Sequence, residues 1–188
     1  FAVTCSVGIG WLAAMLIDVS FLALIAAATG REVFAGRNWR NLKVVALVVL
    51  LLIGNIAFHL EAHFSGAADY GIRVGIAVVV LLIMLIGGRI IPSFTRNWLV
   101  RENPGRLPSP FAGFDVTIVI LSAAMLLVWI VRQDGGLVGC LLAAAGVLHV
   151  IRLGRWVGDR TLKERLVLIL HVGYAFIPAG FLLASAAA

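Results

Sequence analysis

Six apolar runs, each about twenty residues long, alternate along this chain with short polar segments rich in arginine. They cover residues 11–29, 43–62, 71–91, 114–131, 136–153 and 166–184. At ~1.5 Å of helical rise per residue, each run is long enough to cross a hydrocarbon core of ~30 Å. None alternates apolar and polar positions with period two, which argues against barrel strands. The pattern predicts an all-α, polytopic transmembrane helical bundle of about six spans, a single domain over residues 1–188. Residues 1–10 are apolar as well and read as the tail of a preceding span.

Composition agrees with the bilayer as solvent. Of 188 residues, 62% are hydrophobic and 13% charged, about half the charge that a soluble domain of this length carries. This excludes an ordinary soluble enzyme and a disordered regulator. The net charge of +6 does not point to nucleic acid, because basic residues scattered among long apolar runs make no groove-sized patch. Thirteen of the fifteen basic residues lie in the first, third and fifth connections, and only Arg73 and Arg132 in the second and fourth. The positive-inside rule then puts the three basic loops in the cytoplasm and both ends outside. Tryptophans agree. Trp11 and Trp129 fall at outer span ends, and Trp39, Trp98 and Trp156 fall in the basic loops. Gly71 and Gly75 form a GxxxG, and Gly139 and Gly146 recur a heptad apart, a pattern that suits close helix packing. The chain opens on Phe1 and closes on three alanines, so it is expected to be a segment of a longer protein.

An ionisable group at mid-membrane costs ~2.5–3.5 kcal/mol on the insertion scale, so polar residues inside the runs need a partner or a task. Asp18 sits near the middle of the first run, either as a paired helix-packing residue or as a functional one. Asn55, His59 and His63 stand at intervals of four, on one stripe of the second helix. Neutral imidazole binds haem iron, copper and zinc, which makes His59 and His63 candidate metal ligands; the other reading has them bonding to neighbouring helices and the interface. Arg89, His149 and His171 lie at comparable depths and can converge if their helices are neighbours. Tyr174 shares a face with His171, and Pro178 follows it in the same run. A histidine pair with an arginine nearby suits b-type haem, while Arg89 can equally snorkel to headgroups. Cys5 and Cys140 form no redox or haem-attachment motif. There is no P-loop, dinucleotide fingerprint, HExxH or GxSxG.

Two longer strings carry a family resemblance. Residues 87–97, Gly87-Gly88-Arg89-Ile90-Ile91-Pro92-Ser93-Phe94-Thr95-Arg96-Asn97, and residues 170–180, from Leu170-His171 through Tyr174 and Pro178 to Gly180, resemble signatures of the NnrS family of bacterial inner-membrane proteins. Residues 55–59, residues 37–40 and His149 with Arg152 and Trp156 look like family positions too. The resemblance implies a middle segment of a protein of about twelve spans that contains haem b and copper and acts in the response to nitric oxide. It implies cofactor roles for His59, Arg89, His149, His171 and Tyr174. The family's His-rich motif of the early spans and its C-terminal Thr-Arg and His-Thr-Gly-Arg strings are absent from this chain. The expected partners are the lipid bilayer, the remainder of the polypeptide and nitric oxide as a small ligand. The expected function is protection against nitrosative stress by a haem/copper protein, and whether it is an enzyme stays open. The alternatives are a proton-coupled transporter or channel using Asp18, and a metal-cofactor assembly factor.

Overall fold

The computed structural model describes residues 10–188, and every regular element in them is helical. The helices are α1 (Trp11–Ala35), α2 (Leu42–Ser65), α3 (Asp69–Glu102), α4 (Gly113–Val131), α5 (Gly136–Gly154) and α6 (Arg165–Ala187), with 3-10 turns at Trp39–Asn41 and Gly158–Arg160. All six are long and apolar enough to cross a membrane. In hydrocarbon no water can pair with the backbone, so a spanning segment must satisfy its own amides and carbonyls, which the helix does. Each apolar run lies inside one helix, and the helices continue past the runs at several ends.

Helix α3 shows the largest extension. Its apolar run ends at Ile91, yet the helix passes through Pro92 and continues to Glu102. Proline lacks the N–H that would bond the carbonyl four residues back, here that of Gly88. The opposite end of α3 is capped from a distance: the Glu61 carboxylate accepts from the Tyr70 and Gly71 amides at 3.1 and 2.8 Å. These are two of the amides that a helix start leaves without partners, and a negative charge suits that end. Glu164 does the same for α6, accepting from the Leu166 amide at 3.2 Å. Gly66, at φ 74°, closes α2 in the left-handed conformation that glycine adopts without strain.

The chain divides into two compact units, one ending at Val79 and the other covering Val80–Ala188. In the first, α1 packs along α2, and α2 meets the start of α3 closely. A Cβ on Gly71 would strike the backbone of Phe58, and one on Gly54 would come within 2.7 Å of Val74. Gly75, the other half of the GxxxG, has nothing within 4 Å of such a Cβ.

In the second unit α5 packs along α6 and against α4. Gly146 faces Leu182 and the Pro178 carbonyl, and Gly139 faces the Ser185 carbonyl, so these two glycines do serve close approach. Met84, Leu99, Ile118, Val138, Leu142 and Ala145 form its dry interior. Ile120, Leu127, Phe176 and Leu183 face outward, as lipid-facing positions require. The two basic connections of this unit meet. Arg160 donates to the carbonyls of Asn103, Pro104 and Arg106, Arg106 pairs with Asp159 at 2.8 Å, and the Ser109 amide donates to the Arg155 carbonyl. Trp156, expected at the interface, is instead buried in the interior.

Candidate functional site

Within the first unit, Asp18 and the α2 stripe come together. The Asp18 carboxylate accepts from Asn55 Nδ2 at 2.8 Å and from His59 Nε2 at 3.0 Å. Because a carboxylate only accepts, His59 carries a proton on Nε2, and in the neutral ring Nδ1 keeps its lone pair for another partner. A histidine whose second nitrogen is fixed by a carboxylate is the usual form of a metal-ligating histidine. One turn on, His63 stacks on Trp11, with ring centroids 3.9 Å apart and planes 11° from parallel. Asn55 Oδ1 is buried without a hydrogen-bond partner.

The second unit holds a larger polar cluster, centred on an arginine that the charge pattern places among the loop cations. Arg152 is fully buried. Its Nε donates to Asp115 Oδ1 at 2.8 Å, and its Nη1 donates to the Met84 carbonyl at 3.1 Å and to Tyr174 Oη at 2.8 Å. Nη2 is buried without a hydrogen-bond partner. The guanidinium lies against Gly88, where no Cβ would fit, and Trp156 covers it with its ring centroid 5.3 Å away. Asp115 also accepts from the Ala112 amide at the start of α4.

From Arg152 the bonding runs inward in one direction. Tyr174 accepts from the arginine, so its single proton goes to His149 Nδ1, 2.9 Å away. Neutral His149 then carries its proton on Nε2 and donates to Ser122, 3.0 Å away. Both ring nitrogens of His149 are therefore engaged, and Arg152, Tyr174, His149 and Ser122 are all at most 1% exposed. Arg89 approaches this cluster from α3 through Phe111: its guanidinium lies 5.3 Å from that ring's centroid, and that of Arg152 lies 5.7 Å from it.

His171 bonds elsewhere. Its Nδ1 lies 3.0 Å from the Val167 carbonyl one turn back, and its Nε2 lies 3.3 Å from Thr95 Oγ1. A carbonyl accepts only, so the proton sits on Nδ1 and Nε2 presents a lone pair. Thr95 gives its one hydroxyl proton to the Ile91 carbonyl at the shorter distance of 2.8 Å. The longer contact leaves the Nε2 lone pair poorly matched. Gly158 covers the ring closely enough that a Cβ there would come within 2.6 Å of it. The structure thus joins His149 to Tyr174, Asp18 to Asn55 and His59, and His171 to Val167 and Thr95.

A protein-family comparison decides the relationship: the model of the NnrS protein family matches residues 1–188, the full chain. The chain belongs to the NnrS family. No curated protein and no solved structure matches it. The buried cluster and His171 draw on the two strings that carried the resemblance, through Gly88, Thr95, His171 and Tyr174. Asp115, Ser122 and Arg152 were not singled out as site residues. A signal for the first and third was present: Asp115 and Arg152 each stand sixteen residues from the α4–α5 connection. In an antiparallel pair with a short connection they must face each other at one height.

The histidines can be tested against the cofactors that the family implies. A histidine-ligated haem takes one or two axial nitrogens from protein, and in their neutral rings His171 Nε2 and His59 Nδ1 have the required form. A copper ion held by these residues alone does not fit. Among the described residues, no three histidine, cysteine or carboxylate side chains group closely enough to hold a metal.

Proposed function

We propose that this chain is part of a haem- and copper-containing multi-pass membrane protein of the bacterial nitric oxide response, and that it protects against nitrosative stress. Membership of the NnrS family supports the nitric oxide response. The observation that carries the haem reading is the His171 lone pair. Nδ1 is tied to the Val167 carbonyl, so the neutral ring has its lone pair on Nε2, on a buried and oriented side chain. Histidine ligates iron in this tautomer, and the hydrogen bond on the other nitrogen sets it. His171 would hold the haem there, and the chemistry the haem would supply is an iron able to bind a diatomic gas such as nitric oxide.

The chain's own residues supply orientation and exclusion of water. Val167 fixes the His171 ring and Gly158 covers it. His59, oriented by Asp18, is the second candidate donor, and His63 beside it belongs to the stacked outer end of the same stripe. His149 and Tyr174 act in this reading as supports, because their bonding capacity is used by Arg152 and Ser122. Arg89, next to Phe111, stays the candidate partner for an anionic haem substituent. Copper requires donors beyond the described residues.

The test is an absorbance spectrum with metal analysis of the detergent-purified full-length protein. A Soret band that His171→Ala abolishes or shifts is expected. A protein without a Soret band and without copper overturns the haem and copper reading. An unchanged spectrum in His171→Ala removes that residue from it.

A further inference from the structure

Two clefts of the second unit share a wall where α3 emerges from the hydrocarbon and α6 enters it. One, about 560 Å³ in volume, is lined by Trp98, Arg101, Glu102, Asn103, Lys163 and Glu164. The other, about 410 Å³, adds the apolar surface of Phe94, Leu166, Val167 and Leu170. Trp98, Arg101 and Glu164 line both. Helix α3 has 34 residues, ~51 Å at the α-helical rise, against a bilayer of ~40–45 Å including headgroups. Its last turns therefore stand in the headgroup layer, the depth at which an indole such as Trp98 settles.

The charge of the polar cleft is unusual for the basic side of this protein. It holds two cations, Arg101 and Lys163, and two carboxylates, Glu102 and Glu164. Among the described residues the ion pairs are His59–Asp18, Arg106–Asp159 and Arg152–Asp115, and none includes any of these four. Glu164 uses Oε1 for the Leu166 amide, which leaves Oε2. Arg101 uses only Nε, for the Asn97 carbonyl. Four side chains thus line one cleft with bonding capacity to spare and no net charge, beside a groove of hydrocarbon.

We propose that this cleft binds phosphatidylethanolamine, with the phosphate on Arg101 and Lys163, the ammonium on Glu102 and Glu164, and one acyl chain along Phe94, Leu166 and Leu170. The anionic headgroup of phosphatidylglycerol would offer the two carboxylates neutral hydroxyl donors and no countercharge. A quaternary ammonium has no N–H to donate. The zwitterionic headgroup of phosphatidylethanolamine satisfies both pairs, its phosphate accepting from the two cations and its primary ammonium donating to the two carboxylates.

The experiment titrates the detergent-purified full-length protein with phosphatidylethanolamine, phosphatidylcholine and phosphatidylglycerol of identical chains and counts bound lipid by native mass spectrometry. Phosphatidylethanolamine is expected to bind about fivefold tighter than either, the equivalent of one charge contact at a membrane surface. Glu102→Gln with Glu164→Gln should abolish that preference and leave phosphatidylglycerol binding no weaker. Glutamine keeps an oxygen for the Leu166 amide, so the fold is retained, and an unchanged melting temperature checks this. Arg101→Ala or Lys163→Ala should weaken all three lipids. A wild type without the preference, a preference for phosphatidylglycerol, or a preference that survives the double glutamine variant overturns the proposal.

Discussion

Arg152 and Asp115 show what a single buried charge demands. The guanidinium is fully enclosed and Asp115 is its only carboxylate partner among the described residues. Removing one member of such a pair leaves the other charged and unsolvated, which costs about 3–5 kcal/mol, whereas replacing both with apolar groups of similar volume is close to neutral. Asp115→Leu and Arg152→Met should each lower the stability of the full-length protein by about that amount, read from unfolding in mixed micelles. The double variant should recover most of the loss. An additive double variant would show that the pair is not coupled. Tyr174→Phe removes one acceptor from Arg152 and one donor to His149, and is expected to cost about 1–3 kcal/mol in the same measurement. These roles were only partly legible. The matching distances of Asp115 and Arg152 from their connection were visible in the chain, as were those of Asp18 and His59, each seventeen residues from theirs. Tyr174, Ser122 and Thr95 gave no such signal, because their partners lie on helices whose rotation about the axis comes from packing.

At the scale of the element, glycine separates pattern from contact. Gly71 and Gly75 look equivalent as a GxxxG, yet only Gly71 lies where a Cβ would meet the neighbouring backbone. Gly71→Ala is expected to push α2 and α3 apart and lower the thermal stability of the detergent-solubilised protein. Gly75→Ala should be neutral or raise stability by up to about 1 kcal/mol through helix propensity. Equal effects from the two substitutions would mean that the GxxxG acts as a symmetric motif. Gly139 and Gly146 behave as the heptad spacing suggests, since both face α6. The apolar runs placed all six helices but stopped short on α3, because residues 92–102 mix polar and apolar side chains and are still helical. Hydropathy records solvent; hydrogen bonding sets where the helix ends.

For the whole molecule, the loop asymmetry makes a topological prediction. Once Cys5 and Cys140 are replaced, a cysteine at Asn38 should react with a membrane-impermeant maleimide only after the inner face is opened. One at Gln133 should react in intact spheroplasts. The reverse result would invert the orientation. Arg152 contributes nothing to that asymmetry, being paired in the interior, and Arg160 serves chiefly to tie the two basic connections of its unit together. The remaining cations are sufficient for the rule, because the outer connections carry only two.

The sequence by itself determined the solvent, the number of spans and the family, since these follow from hydropathy, charge distribution and long local strings. It also determined which residues were out of place in a bilayer. Tertiary structure alone decided how those residues are used. It gave His149 to Tyr174 and Ser122, left His171 with a lone pair beside Thr95, and moved Arg152 from a loop charge to the centre of a buried cluster. The physical reason is that a polar side chain inside a membrane takes its role from whichever donor or acceptor reaches it. That choice depends on the rotation and closeness of helices distant in the chain.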